Sequence, residues 1–349
     1  LHPKIHRPTQ SAIARAADAL LHGHLVGLPT ETVYGLAARG DDALAVEQIF
    51  VAKGRPRHNP LILHVADADA ARRLFADHLS PMQRSRLSGL QTFWPGPLTL
   101  IAPKHPSVLD VVTAGGDTVA VRVPDHPVAL SVLREMNRQN GSPVPVAAPS
   151  ANASNYVSPT TASHVADGLG DHVAMILDGG SCRVGLESTI VFLGTEDLPP
   201  RILRSGRLGE AELAARLGEP LAGQQHAQPS SALEESHYRP VAAPGQFAKH
   251  YSPRAEVLLL PIDSSADPPP GTLHIGFDPI APSDMGCDTR SNVWTFAPDG
   301  RLETAAANLY LMLRQADQQN YRRIEVVACP EQGIGIAIMD RLRRAASGD

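Results

Sequence analysis

At 349 residues, 43% of them hydrophobic and 19% charged, the chain can bury one large core or two ordinary ones, and two is the expectation. A formal net charge of −5 excludes the overall basic excess of a dedicated nucleic-acid binder, while leaving room for local basic loops. Cys182, Cys287 and Cys329 are far apart and odd in number, and there is no CxxC spacing and no HExxH motif, so a disulfide framework, a zinc knuckle and a structural metal are not expected. No apolar run approaches the roughly 20 residues that cross a bilayer, and the N-terminus lacks the charged-then-apolar pattern of a signal peptide, so the expectation is a cytoplasmic protein with no membrane attachment.

Ile13, Ala16, Ala17, Leu20 and Leu21 recur at helical spacing and predict a lid helix over residues 10–22. The apolar run from Leu25 to Leu28 reads as a buried strand that delivers Thr30, Glu31 and Thr32 into a turn. Ala43, Val46, Ile49 and Phe50 then predict a helix capped by Asp41 or Asp42 and ended by Gly54. Lys53, Arg55, Arg57 and His58 follow within six residues, in a segment too polar and too broken by proline to be core, before a second buried strand from Leu61 to Val65. Cations beside small hydroxyls at strand ends suit a phosphate ester, because guanidinium offers paired donors and ammonium a compact charge. A solvated loop that is merely basic accounts for the same residues.

Helices are predicted over 68–76 and 81–90, the second opened by Ser80 as N-cap and Pro81 at the first helical position. Phe93-Trp94-Pro95-Gly96-Pro97 is a rigid turn feeding a strand through Ile101, with the two aromatics read first as core and second as a wall for a base. From Thr118 to Val123 the pattern has period two, so Thr118, Ala120 and Arg122 share one face of a strand. A charge centred in so apolar a strand needs a partner, either a neighbouring carboxylate or that of a ligand. A helix over 127–137, capped by Asp125, leads to a strand over 144–147 and a loop from Pro149 to Thr160 dense in Ser and Asn. Its hydroxyls and the helix-start amides near Thr161 suit phosphate oxygens, though such residues also simply make turns. Strands at 173–177 and around Ser188-Thr189-Ile190-Val191, an Arg201 to Arg204 strand taken to carry its arginines at alternate positions, and a helix over 208–217 complete the unit. Residues 219–246 have the composition of a linker. Four strands (257–260, 273–277, 293–296, 324–328) and two helices (302–317, 335–346) then predict a small Rossmann-like α/β unit, in which Gly333-Ile334-Gly335 is assigned to packing because a lone GxG is weak evidence.

The stretches Pro29 to Leu36 and Lys53 to Val65, followed by Ser150-Ala151-Asn152 and Ser188 to Val191, resemble in order and spacing the YrdC-like threonylcarbamoyl-AMP synthase family over roughly residues 10 to 210. The C-terminal third resembles the two-domain form of that family, with Pro244 to Pro253 similar to a linker end whose His-Tyr-x-Pro segment reaches back over the active site; a Tyr251 pinned in the domain interface is the alternative. The implied organisation is a catalytic domain at 1–218, a linker at 219–253 and a small Rossmann-like domain at 254–349. The implied fold is α/β, a twisted open mixed sheet with helices plus the smaller unit.

The resemblance implies condensation of L-threonine, bicarbonate and ATP to threonylcarbamoyl-AMP and pyrophosphate, for threonylcarbamoyladenosine in tRNA. Matched by motif, ATP contacts fall on Arg55, Asn59, Thr118, Ser150, Ser158, Arg204 and Tyr251, with Lys53 as a further cation at the phosphates and Lys53 and Arg55 as the catalytic pair. Threonine contacts fall on Thr32, His64, Arg122, Ala148 and Ser188. Magnesium is expected with the triphosphate, with Glu31 as a candidate ligand and no carboxylate pair. The implied partners are these small molecules and downstream tRNA threonylcarbamoyl transferase proteins, with no membrane and no tRNA needed for this step. Asn155 stands where a glycine is common, Ser205 where a proline is frequent and Phe192 where an acidic residue is usual. Two other readings stay open: an RNA-binding protein using the basic cleft, and another adenylating or carbamoyl-transferring enzyme on the same scaffold.

Overall fold

The computed structural model describes residues 2–222, 250–262, 264, 268–277 and 292–347; most of the predicted linker, including Pro244 to Lys249, and Cys287 lie outside the described residues. The first unit runs β1 (Ile5–His6), α1 (Gln10–Leu21), β2 (Val26–Leu28), β3 (Gly35–Arg39), α2 (Ala43–Lys53), β4 (Ile62–His64), α3 (Ala68–Arg72), α4 (Pro81–Leu90) and β5 (Leu98–Pro103). It continues through α5 (Asp110–Thr113), β6 (Thr118–Arg122), α6 (Pro127–Asn140), β7 (Val146–Ala147), α7 (Ala162–Leu169), β8 (Met175–Leu177), β9 (Thr189–Phe192), β10 (Arg201–Arg204) and α8 (Glu210–Leu217). The second unit holds β11 (Glu256–Leu260), β12 (Thr272–Gly276), β13 (Val293–Thr295), α9 (Leu302–Gln318), β14 (Arg323–Val327) and α10 (Gly335–Ala346).

Ten strands form one mixed sheet in the order β1-β8-β2-β3-β7-β4-β6-β5-β9-β10. At its centre β4 runs parallel to β6 with His64 opposite Arg122, while β4 and β7 are antiparallel. His64 and Arg122 therefore lie side by side, and the residues after β7 lie beside the start of β4. The second unit is a four-stranded parallel sheet, β11-β14-β12-β13, flanked by α9 and α10.

Local chemistry fixes several boundaries. The Asp42 carboxylate accepts from the Leu44 and Ala45 amides to start α2, and Gly54 ends it at φ 59°, a left-handed turn that suits a residue without Cβ. Ser80 and Gln83 close a reciprocal capping box at the start of α4, with Pro81 in the first turn. Trp94 is buried in the core and donates from its indole nitrogen to the Leu98 carbonyl at 2.7 Å, so its role is packing. Asn155 adopts φ 66°, the left-handed geometry that an asparagine tolerates in place of glycine.

Other expectations are corrected. Helix α1 is no lid: Ala12, Ala16, Ala17 and Leu20 are buried, and the helix packs along α6. Helix α3 stops at Arg72. His126, not Asp125, caps α6, whose last residue, Asn140, lies three beyond the predicted end and is followed by Gly141; Asp125 pairs with Arg183 on the surface. In β10 the register shifts between Ile202 and Arg204, and Arg201 is exposed whereas Arg204 is buried. Arginines three residues apart on a strand point to opposite faces, so the alternate-position reading fails on spacing alone.

The two units share apolar contacts. Val33, Val157 and Leu186 of the first unit pack in one cluster with Leu309, Tyr310, Ile338 and Leu342 of the second. Gly185 permits the approach, since a Cβ there would meet the Ala306 carbonyl and the Ala307 Cα of α9 at 2.4 Å each. Among the described residues no helix is long and apolar enough to cross a membrane.

Candidate active site

One cavity, about 520 Å³ counting the part open to solvent, lies over the sheet face that carries Ile62 and His64 of β4 and Arg122 of β6, beside the segments that follow β7 and precede β9. Thr32, Arg55, His64, Arg122, Ala148, Ser150, Ser188, Arg204 and Tyr251 line it, joined by Val33, Pro60, Leu61, Ile62, Pro149, Glu187 and His250. Lys53, Asn59, Thr118 and Ser158, also expected at the site, do not reach its surface.

The turn after β2 is organised by Thr30. Its hydroxyl donates to the Val33 carbonyl at 2.6 Å, accepts from the Thr32 and Val33 amides, and lies 2.8 Å from the Thr32 hydroxyl. With the Thr30 proton directed at Val33, Thr32 donates to Thr30 and keeps its lone pairs for Arg122, whose Nη1 approaches at 2.8 Å. Arg122 Nη2 sits 2.7 Å from Glu31 Oε1, and both side chains are about 5% exposed or less. Neither Glu31 oxygen receives a donor at hydrogen-bonding angles, so the pair is held mainly by charge. The chain carboxylate anticipated for Arg122 is thus Glu31, and Arg122 also lines the cavity.

His64 and His250 line the same cavity with Nδ1 atoms that lack a hydrogen-bond partner. Burial pushes both imidazoles down to about 3, with the neighbouring Arg122 adding to the effect at His64. Both are therefore neutral at neutral pH. Arg204, in the same lining, donates from Nε to the Ser188 carbonyl (3.1 Å) and from Nη2 to the Ser188 hydroxyl (3.0 Å), which also meets Thr99 at 2.7 Å. Arg55 is anchored to its own loop, Nε to the Asn59 carbonyl (3.2 Å) and Nη2 to the Pro60 carbonyl (2.8 Å), and burial lowers it to about 10. Asn59 is buried, and Thr118 lies on the Arg122 face of β6 but two pleat repeats away from Arg122, the β6 residue that lines the cavity.

Lys53 departs most from expectation. Its ammonium is buried and donates at 2.5 Å to the carbonyls of both Ser150 and Asn152, so it holds the Ser-Ala-Asn loop instead of facing the cavity, and burial drives its pKa well down. Arg57 is exposed and paired with Glu47. The segment read as polar loop is thus half interior. Lys53→Met orphans two carbonyls, each worth about 1–3 kcal/mol if left unpaired. A fall of about 2–4 kcal/mol in denaturation stability is expected, together with at least a tenfold loss of nucleotide-dependent activity. Unchanged stability would show that the ammonium is not a clamp.

Of the lining residues not named individually from the sequence, two are polar: Glu187, and His250 from the segment expected to reach over the site. Glu187 accepts from the Ser158 hydroxyl at 2.7 Å, which explains why Ser158 is withdrawn from the surface, and His250 lies against Tyr251 with ring centroids 3.9 Å apart. An acid two residues before the buried strand β9 was the available signal, since a carboxylate carried into the core there demands a partner. Among the described residues no three His, Cys, Asp or Glu side chains gather to hold a metal. Glu31 faces Arg122 and Glu187 is already saturated, so the donor set does not form a cage for magnesium.

A family model described as threonylcarbamoyl-AMP synthase, C-terminal domain, matches residues 210–347, and one described as telomere recombination, for the Sua5, YciO and YrdC proteins, matches residues 18–206. A Bacillus subtilis protein named threonylcarbamoyl-AMP synthase is 37% identical over 96% of this chain and 93% of its own length. The chain belongs to the threonylcarbamoyl-AMP synthase family. A Pyrococcus abyssi member is likewise 37% identical over 95% of this chain and 93% of its own. The crystal structure of P. abyssi Sua5 complexed with L-threonine superposes with a TM-score of 0.79 at 34% identity, covering 98% of this chain and 96% of that one. The match runs through both units, so the whole fold, a mixed-sheet unit followed by a parallel α/β unit, is that of the two-domain threonylcarbamoyl-AMP synthases.

Proposed function

We propose that this protein condenses L-threonine, bicarbonate and ATP into threonylcarbamoyl-AMP and pyrophosphate in the cytoplasm, the product passing to tRNA threonylcarbamoyl transferase proteins. The observation that supports it best is the convergence of Arg122, Arg55 and Arg204 on one cavity. An amino-acid carboxylate suits the Arg122 fork, displacing the weakly bonded Glu31 contact, while the Thr32 and Ser188 hydroxyls read the threonine hydroxyl and the small Ala148 leaves space beside it. The neutral His64 offers a hydrogen bond without adding charge.

The threonine amine adds to bicarbonate with loss of water to give the carbamate. A carbamate oxygen then attacks the α-phosphorus in line, its bond forming as that to pyrophosphate breaks. Positioning and charge neutralisation by Arg55, Arg204, Ser150 and Tyr251 carry the step, because a phosphoryl centre needs little covalent help. Magnesium enters with the triphosphate as part of the substrate. Against the RNA-binding reading, Arg55 and Lys53 are buried and Arg57 is paired, so a polynucleotide backbone has little to grip.

The test is pyrophosphate release with ATP, bicarbonate and each amino acid in turn. A signal that depends on threonine, and is weaker with serine, is expected; release that ignores the amino acid, or none at all, rejects the reading.

A further inference from the structure

Glu187 lines the cavity immediately before Ser188, and most of what holds it comes from the second unit. Its Oε1 accepts from the Ser158 hydroxyl (2.7 Å) and the Tyr310 hydroxyl (3.2 Å), and its Oε2 from Tyr310 (2.9 Å) and Arg341 Nε (3.0 Å). Tyr310 lies on α9 and Arg341 on α10. Arg341 also donates from Nη2 to the Ser205 carbonyl at 2.9 Å, next to Arg204, and its guanidinium carbon stands 5.1 Å from the Tyr251 ring centroid. Tyr251 stacks in turn on Tyr310, with centroids 5.5 Å apart and planes 24° from parallel.

Arg341 is 1% exposed, a burial of charge that requires counter-charges, and it has two: Glu187 on Nε and Asp340 on Nη1, the latter at 2.5 Å. Burial alone raises a carboxyl's pKa, yet Arg341, then Arg204 and the Ser158 hydroxyl, overcome it and hold Glu187 at about 2. An ionised carboxylate thus stands in the wall of a cavity proposed to take a polyanion, beside Arg204, a proposed phosphate contact. Uncompensated, it repels the phosphates and draws Arg204 toward itself. Two unit charges about 4 Å apart interact by several times the thermal energy even at intermediate dielectric.

We propose that Arg341, supported by Tyr310, is a positioning residue for nucleotide binding: it neutralises Glu187 from across the domain interface, so that the cavity wall beside Arg204 does not repel the phosphates. The second unit then sets the charge of the nucleotide half of the site. This rests on the reading that the cavity binds ATP. It adds a role for two residues outside the first unit.

The experiment measures ATP affinity by calorimetry, and KM for ATP and threonine by pyrophosphate release, in the full chain. Arg341→Met is expected to raise Kd and KM for ATP by about tenfold or more, with KM for threonine within about threefold of the wild type. Glu187→Gln keeps the shape and the acceptor for Ser158 while removing the charge, and is expected to tighten ATP. The double variant returns to within about threefold of the wild type. Both single changes lower thermal stability, so opposite signs in ATP affinity are what a merely structural contact cannot produce. Should Arg341→Met fail to fold, Glu187→Gln and the charge-retaining Arg341→Lys decide: weaker ATP binding in Glu187→Gln overturns the proposal, as does equal weakening in both. A wild type that binds no ATP overturns the reading of the cavity instead, whereas a wild type that binds it and an Arg341→Met variant that binds it equally well overturn this proposal alone.

Discussion

Arg122→Met is expected to lower kcat/KM for threonine by about a thousandfold or more, a loss of about 4 kcal/mol. Charge-assisted hydrogen bonds to a carboxylate contribute about 1.5–3 kcal/mol each, and a guanidinium fork supplies two. The substitution also leaves Glu31 buried with no counter-charge. Breaking a buried pair from one side costs about 3–5 kcal/mol of stability. The two consequences separate in the double variant with Glu31→Gln: stability recovers because no lone carboxylate remains, whereas threonine dependence does not. Titration of threonine in the pyrophosphate assay, alongside urea denaturation, measures both. An Arg122→Met protein with an unaltered KM for threonine would restrict Arg122 to pairing with Glu31.

Mild acid is expected to weaken the folded state by several kcal/mol between pH 7 and pH 5. His64 and His250 are held down to about 3 and His164 to about 4, chiefly by burial. Their folded pKa values lie below the ordinary histidine value near 6.5, so below that pH the unfolded chain takes up protons that the fold refuses. Stability is therefore complete above about pH 6.5 and declines as pH falls toward the folded values. Each histidine contributes about 2 kcal/mol of loss at pH 5. The His164 Nδ1 accepts from the Thr160 amide and the ring does not line the cavity, so His164→Asn is expected to flatten the decline by about a third while leaving threonine KM little changed. A pH-independent denaturation midpoint from pH 7 to 5 would contradict the burial of these rings. Glu187 acts in the same direction only at lower pH, since its advantage is present above about 4.5 and lost toward 2.

Local rules made much of this architecture readable. The carboxylate of Asp42, the Ser80–Pro81 pair and the glycines after α2, α6 and α8 mark helix ends by chemistry contained in a few neighbouring residues. Period two in β6 put Arg122 on the face that meets the cavity. What stayed hidden depends on partners distant in sequence. Lys53 looked like part of a cation cluster because the carbonyls that capture it are about a hundred residues away. Glu187 was passed over because Tyr310 and Arg341 lie 123 and 154 residues downstream. The lid role for α1 failed similarly: amphipathic spacing shows that a face is buried and is silent on what buries it.

The shared apolar cluster limits how the two units can be separated. Val33, Val157 and Leu186 owe their dryness to side chains on α9 and α10, and Arg314 of α9 donates to the Val157 and Ser158 carbonyls. A first unit released by cleavage in the connecting segment would expose a greasy rim beside an unneutralised acid at the mouth of its own cavity. Any minimal version of this enzyme built by truncation therefore needs that rim redesigned before its chemistry can be assessed.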